Sequence, residues 1–344
     1  MRPLPEQPDD WTEPGAHPVV DGVHRIPLPL PIEGLAAVNV YLIEGSTGLT
    51  LVDSGWATAE TERAIGWALR GIGHRIGDVT EILVTHAHWD HYTQACAWRD
   101  ALGVQVWLGR GERPSIEDFE FAAGPHPRQA AMLRGCGAAE LADRVAAIEF
   151  PPDQLSVPFG LPDGWLDDGD RVALRNGKLD VVATPGHTRG HVVFRHDTAG
   201  LLFAGDHVLP HITPSLGFEY SPGPFPLLSY LDSLRIVRDQ PDALLLPAHG
   251  PVTRSAHTRI DELIAHHDRR LSAVADQVRA GDGNAFEVAA ALPWTRHQRR
   301  LDELALVHQM TAVLEIEAHL ELLAQQGILV RADLNGTRLY ALAH

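Results

Sequence analysis

The run T-H-A-H-W-D-H at residues 85–91 places His86, His88, Asp90 and His91 within six positions. It follows the apolar run I-L-V (82–84) and precedes a helix-like segment. It is therefore expected on a strand-to-helix loop, where α/β proteins set their ligands. Imidazole and carboxylate together suit Zn, Fe or Mn. Buried for any other purpose, these groups would need several polar partners at once. Zinc takes about four N, O or S ligands, so this segment alone serves one ion. Three further places supply more: T-P-G-H-T-R-G-H (184–191) after the run D-V-V-A, F-A-G-D-H (203–207) ending L-L-F, and L-P-A-H-G (246–250) ending L-L-L. Each puts a ligand type (His187, Asp206, His249) just past an apolar strand, where glycine permits a tight turn.

The segments that must position these groups read as follows. Residues 1–17 are rich in proline and acid, a flexible tail. Strands are expected over 23–30, 37–43 and 49–52, the last ending in D-S-G-W (53–56), a turn signal. A helix follows over 58–71, with Ala64, Ile65, Ala68 and Leu69 on one face. Then come strand 82–85, helix 92–102 and strand 104–108. Residues 111–165 carry helical pattern at 129–133 and 138–147 between proline-rich breaks, and read as a helical insertion over a cleft. Strands return at 180–183, 192–195 and 201–203, then helix 228–237 and strand 243–246. Past residue 254 the spacing is helical: Ile260, Leu263, Ile264, His267, Leu271, Val274 and Val278, then Val313, Ile316, Leu320 and Leu323. Residues 328–332 and 338–342 pair across D-L-N-G-T as a hairpin. The organisation is thus a tail, a catalytic domain at 18–254, and a small helical, winged-helix C-terminal domain at 255–344.

Bulk properties narrow the function. The 344 residues allow about two domains, and a 44% apolar fraction supports a sizeable core. With 28 Lys and Arg against 45 Asp and Glu, the net charge is −17. That disfavours a general nucleic-acid binder or an anionic membrane partner. No run approaches the ~20 apolar residues of a membrane span, and the N-terminus lacks the apolar core of a signal peptide. A cytoplasmic protein is expected, with Cys96 and Cys136 as reduced thiols.

The order H-x-H-x-D-H, then His, Asp and His, with D-S-G upstream, resembles the metallo-β-lactamase-fold hydrolases over residues 20–252. The resemblance implies an α/β fold, an αββα sandwich with its site at one edge. It implies His86, His88 and His187 on one divalent ion, Asp90, His91 and His249 on a second, and Asp206 bridging both. Asp53 resembles the acid behind the ligands that orients one of them. Two ions at ~3.5–4 Å share a hydroxide nucleophile and clamp the oxygens of a displacement, with Asp90 passing a proton to the leaving group. Zinc is the expected metal, with Fe or Mn as alternatives. β-Lactamases of this fold often carry a cysteine where this chain has Asp206, so antibiotic hydrolysis is not expected. Glyoxalase II enzymes carry a C-G-R-F-F-E-G-like stretch where this chain has H-V-L-P-H-I-T-P-S-L-G (207–217), which weakens glutathione as the recognised group.

The runs S-Y-L-D-S-L-R (229–235), P-A-H-G-P (247–251) and E-A-H-L-E-L-L-A-Q-Q-G-I-L (317–329) resemble the subgroup of glyoxalase II-like hydrolases with a C-terminal winged helix. The expectation is hydrolysis of a small ester, thioester or lactone. The alternative is a single-strand-specific endoribonuclease. Arg296, Arg299 and Arg300 form a basic cluster, but residues 255–344 hold 9 Arg against 12 Asp and Glu, a net −3. The partner is accordingly a small acyl substrate, and a homodimer is compatible. His196, His207, His211, His266 and His267 read as packing or surface histidines, and Tyr220 and Tyr230 as core or lid tyrosines.

Overall fold

The computed structural model describes residues 8–32, 35–46, 48–175, 177–295 and 297–343. Residues 1–7 of the tail and Arg296 lie outside the described residues. The first sheet has seven strands in chain order: β1 (His17–Val20), β2 (Val23–Ile32), β3 (Leu35–Glu44), β4 (Leu49–Val52), β5 (Val79–Val84), β6 (Gln105–Gly109) and β7 (Gly164–Leu166). Its pairs are antiparallel up to β4 and parallel beyond. The second runs β12 (Leu244–Pro247), β11 (Leu201–Gly205), β10 (Val192–His196), β9 (Gly177–Ala183) and β8 (Arg171–Leu174), with only β11–β12 parallel.

Side-chain alternation along the strands creates the layers. On β3, Tyr41 and Ile43 join Phe194 of β10 and Phe203 of β11 in the core between the sheets. Val38, Val40 and Leu42 turn the other way, onto the buried faces of α1 (Ala59–Gly71) and α2 (Trp89–Leu102). On the second sheet Val193, Leu202 and Ala204 face α6 (Pro226–Arg238) and α7 (Ala256–Ala280). The result is the expected αββα sandwich. The sequence reading passed over β1, β7 and β8, which are three or four residues long. At that length alternation gives no signal above chance.

After α7 come α8 (Ala285–Ala291), α9 (Leu306–Gln325), and a hairpin of β13 (Leu329–Leu334) and β14 (Thr337–Leu342). The hairpin turns on Asn335 and Gly336, both at positive φ, the conformation of a two-residue turn matched to strand twist. Residues 111–165 begin with α3 (Arg113–Glu117) and continue through α4 (Pro127–Gly135) and α5 (Ala139–Ala146). Leu133 and Leu141 of that segment share one core with Val274, Val313, Leu320 and Tyr340. The insertion helices are thus welded to the C-terminal region. Arg338 of β14 reinforces the seam, donating to Glu317 of α9 and to the Met132 carbonyl of α4. Cys96 and Cys136 are buried, unpaired thiols. Among the described residues no helix is long and apolar enough to cross a membrane.

Candidate metal centre

All four ligand-bearing segments reach the same edge of the sandwich, because each follows the carboxyl end of a strand: β5, β9, β11 or β12. There His86, His88, His187 and Asp206 form one group able to hold a cation, and Asp90, His91 and His249 form another. His88 turns Nδ1 inward, 3.0 Å from His86 Nε2 and 3.1 Å from His187 Nε2. Asp206 faces both groups. Its Oδ2 lies 3.4 Å from His187 Nε2, and its Oδ1 lies 3.7 Å from His91 Nε2 and 3.4 Å from His249 Nε2. Asp90 Oδ2 stands 3.5 Å from His91 Nε2 and 3.3 Å from His249 Nε2.

The outer ring nitrogens fix which way each imidazole presents its lone pair. His187 Nδ1–H donates to the Ser215 carbonyl at 2.6 Å and His249 Nδ1–H to the Ala37 carbonyl at 2.8 Å. A carbonyl accepts only, so Nε2 of each ring is left as an acceptor aimed inward. His91 Nδ1–H donates to Asp53 Oδ2 at 2.9 Å. The Thr85 hydroxyl lies 3.0 and 3.1 Å from the two Asp53 oxygens and 3.0 Å from His86 Nδ1. It donates to the carboxylate and accepts from the ring, so Asp53 orients one imidazole of each group. Asp53 sits at φ 62°, a strained conformation for a residue with a Cβ. The Thr85 backbone N–H, donating to its Oδ1 at 2.8 Å, helps hold it there. The His249 loop is clamped from β3: Asn39 Nδ2 donates to the carbonyls of Pro247 and Gly250, and Tyr41 Oη to that of Pro247.

His91 Nε2, His249 Nε2 and Asp206 Oδ1 are buried and have no hydrogen-bond partner. Orphaned buried polar atoms are rare and costly, and three converging on one point fit a cation. The electrostatics agree. Burial, reinforced by the neighbouring rings, holds His86 well below the usual histidine range and His88 down to about 3, so both present neutral nitrogens able to bind a cation. Burial also pulls on His91, but Asp90, Asp53 and Asp206 outweigh it and push it well above that range. Asp206 and Asp90 likewise raise His249 against its burial. Burial opposes ionisation of Asp90 and Asp206, yet the surrounding imidazoles hold both carboxyls below their ordinary value. The first group thus offers neutral imidazoles at His86 and His88, while the second pairs His91 and His249 with the charges of Asp90 and Asp206.

Three residues that sequence reasoning did not assign complete the frame. His191 accepts from the Asp206 backbone N–H at 3.2 Å, stacks on His86 at 5.0 Å, and is held at Nδ1 by Thr184. Its place four residues after His187 was the available signal. Glu112 and Glu219 form a buried carboxyl pair. Glu112 accepts from the Thr188 hydroxyl, and Glu219 from the Ser115 hydroxyl and the Arg189 backbone N–H. Burial, and then the charge of Glu219, push Glu112 well above the carboxylate range. Nothing in R-G-E-R marks it in sequence. Two glycines are required by contact. A Cβ on Gly205, at φ 50°, would strike Thr85 at 2.7 Å, and one on Gly190 would strike the Glu112 nitrogen at 2.0 Å.

Of the other singled-out residues, His207 is buried behind Asp206 and its carbonyl accepts from Tyr230 Oη at 3.0 Å. Tyr230 is therefore a core tyrosine. His196 lies at the end of β10, bonded to Thr198, and His211 is exposed.

The superfamily profile of the metallo-beta-lactamases matches residues 34–249. The chain belongs to the metallo-beta-lactamase superfamily. It is a metal-dependent hydrolase, and its His and Asp groups fit two divalent ions. A metallo-beta-lactamase family protein from Thermus thermophilus is 28% identical with a TM-score of 0.73, covering 94% of this chain and 99% of that one. A beta-lactamase domain protein from Burkholderia ambifaria is 31% identical with a TM-score of 0.75, covering 95% and 93%. Among curated proteins, the probable metallo-hydrolase YqjP of Bacillus subtilis is 25% identical over 281 residues, 78% of this chain and 83% of that protein. These likenesses extend past the profile into the C-terminal region.

Proposed function

We propose that this chain is a dinuclear zinc hydrolase of a carboxylic ester, thioester or lactone. In this reading His86, His88 and His187 hold the first ion, Asp90, His91 and His249 the second, and Asp206 is shared. The split of Asp206 between the two groups carries the reading. Zinc is supported by the donor set: imidazole nitrogens and carboxylate oxygens, gathered within 4.8 Å in each group, are the ligand types zinc takes. Two ions held by these residues would supply a water acidified to a pKa of ~7 and positive charge toward the carbonyl oxygen. Asp90 takes the proton the attacking water gives up and passes it to the leaving alkoxide or thiolate. The water oxygen ends on the acyl carbon, the acyl–O or acyl–S bond breaks, and a carboxylate leaves with an alcohol or thiol. Asp53, through His91 and Thr85, keeps both groups in register.

The net charge of −17 supports an acyl substrate over RNA. So does the pairing of Arg300 with Asp302 at 3.3 Å, which takes one cation from the basic cluster. We read α9 and the β13–β14 hairpin as a winged-helix element, supported by their helix-then-hairpin order. The test is elemental analysis of purified protein with assays on p-nitrophenyl acetate, an acetyl thioester and a lactone. Two ions per chain, and turnover abolished by chelation, are expected. No turnover of any acyl substrate overturns the proposal, and salt-sensitive cleavage of an RNA oligomer would replace it with the nuclease reading.

A further inference from the structure

Trp89 lies between two candidate ligands, His88 and Asp90, yet it is only half-buried. Around it stand Trp56 at 5.4 Å, Phe119 and Phe121 at 6.0 Å, Phe150 at 5.3 Å in a parallel stack, and Phe159 at 6.5 Å. All of these rings are half-buried, whereas the aromatic rings between the sheets are closed from solvent. Aromatic side chains carry the largest apolar areas, and this cluster leaves part of that area open to solvent beside the candidate ligands. Phe119 reaches Tyr220 at 5.4 Å. Tyr220 in turn lines a cavity of about 490 Å³ with Ala123, Pro127, Ala131, Met132 and Pro222, within the ~300–1,000 Å³ range of small-molecule sites. The two charged side chains at this cavity, Arg128 and Asp118, are paired with each other at 2.8 Å.

We infer that Trp89, Phe119 and Tyr220 form the wall on which the acyl part of the substrate lies, leading from the metal ligands to the cavity beside α4. The preferred substrate is then an ester or thioester of a medium-length or long apolar acyl group. This rests on the acyl-hydrolase reading above. The occupant is the acyl part because the wall offers rings and no unpaired charge. A phosphorylated or otherwise charged leaving group would find no counter-charge there, while methylene or ring carbon gains by leaving water. The insertion supplies Phe119 and the cavity wall of α4, so its loops select the substrate while its helices pack into the C-terminal core.

The experiment uses the zinc-loaded full chain on p-nitrophenyl acetate, hexanoate and dodecanoate. Because methylene carbon gains by leaving water for an apolar wall, kcat/KM is expected to rise about tenfold or more from acetate to dodecanoate, chiefly through KM. Phe119→Ala, and separately Met132→Trp to fill the cavity, are expected to cut the dodecanoate-to-acetate ratio about tenfold while metal content stays at two ions per chain. Turnover of all three esters with no dependence on length, or a ratio unchanged in both variants, overturns this inference and leaves the acyl-hydrolase reading standing. No turnover of any ester overturns both.

Discussion

Two groups of buried histidines, one at the metal centre and one between α7 and α9, show by contrast what makes a ligand. At the metal centre the inward nitrogens meet Asp90 and Asp206 within 3.3–3.7 Å. Between α7 and α9, His267 Nδ1 meets His319 Nε2 at 3.3 Å, and His319 Nδ1–H donates to the Glu315 carbonyl. Tyr230 stacks edge-on to His267 at 5.6 Å. No carboxylate bonds to either ring, and burial pushes His267 down to about 2 and His319 to about 4. Burial works against the imidazolium in both regions, but at the metal centre the aspartates reverse it for His91 and His249. Only the first adds buried negative charge and converging orphan atoms, so only there would a dication offset the burial of polar groups. A count of histidines does not separate the two; the carboxylates do.

The largest effect expected from breaking this contrast is that of Asp206→Ala. It removes the one group facing both halves, and should lower metal content below two ions per chain and kcat/KM on the order of a thousandfold or more, read by elemental analysis and ester turnover. Next is Asp53→Asn, which leaves every proposed ligand in place but weakens the orientation of His91 and, through Thr85, of His86. Metal affinity measured by competition with a chromophoric chelator should fall about 10–100-fold.

Acid titration sharpens the contrast from the other side. His267 and His319 titrate near 6.5 in the unfolded chain but only at about 2 and about 4 when folded. The unfolded state binds more protons below pH 6.5, so the stability they contribute is complete above that pH and lost as pH falls toward 4. Arg270 and His266 push in the same direction as burial. A His267→Phe/His319→Leu variant should lose fewer degrees of Tm between pH 7 and pH 5 than the parent, measured by calorimetry with the same zinc loading. The smallest effect is that of the same variant at pH 7. Its metal content should remain two ions per chain, with Tm moving only about 1–2 °C per kcal/mol of repacking in a chain of 344 residues. A lost ion would mean that the second histidine pair reaches the site after all.

Much of the centre was legible because its chemistry is local. T-H-A-H-W-D-H concentrates four candidate ligands in one loop, and His187, Asp206 and His249 each announce themselves by following an apolar strand. Glu112 and Glu219 were not legible. They are 107 positions apart in number, they look like ordinary surface acids, and only folding buries them against Thr188, Ser115 and Arg189. The Ser215 and Ala37 carbonyls that orient His187 and His249 are backbone groups, which no residue type can advertise. The insertion was legible as helical, but its partner was not. Leu133 and Leu141 show an apolar face in sequence without saying that Val313 and Leu320 cover it.

The sequence by itself determined the strand and helix periods, the turns and the kinds of ligand, because each depends on neighbours within one turn or one strand. Tertiary structure alone decided which nitrogen of each histidine faces inward, that Asp206 divides its oxygens between two groups, and that the insertion and the C-terminal helices share one core. Those outcomes depend on contacts made across the fold, where burial and shape select among partners that local sequence leaves open.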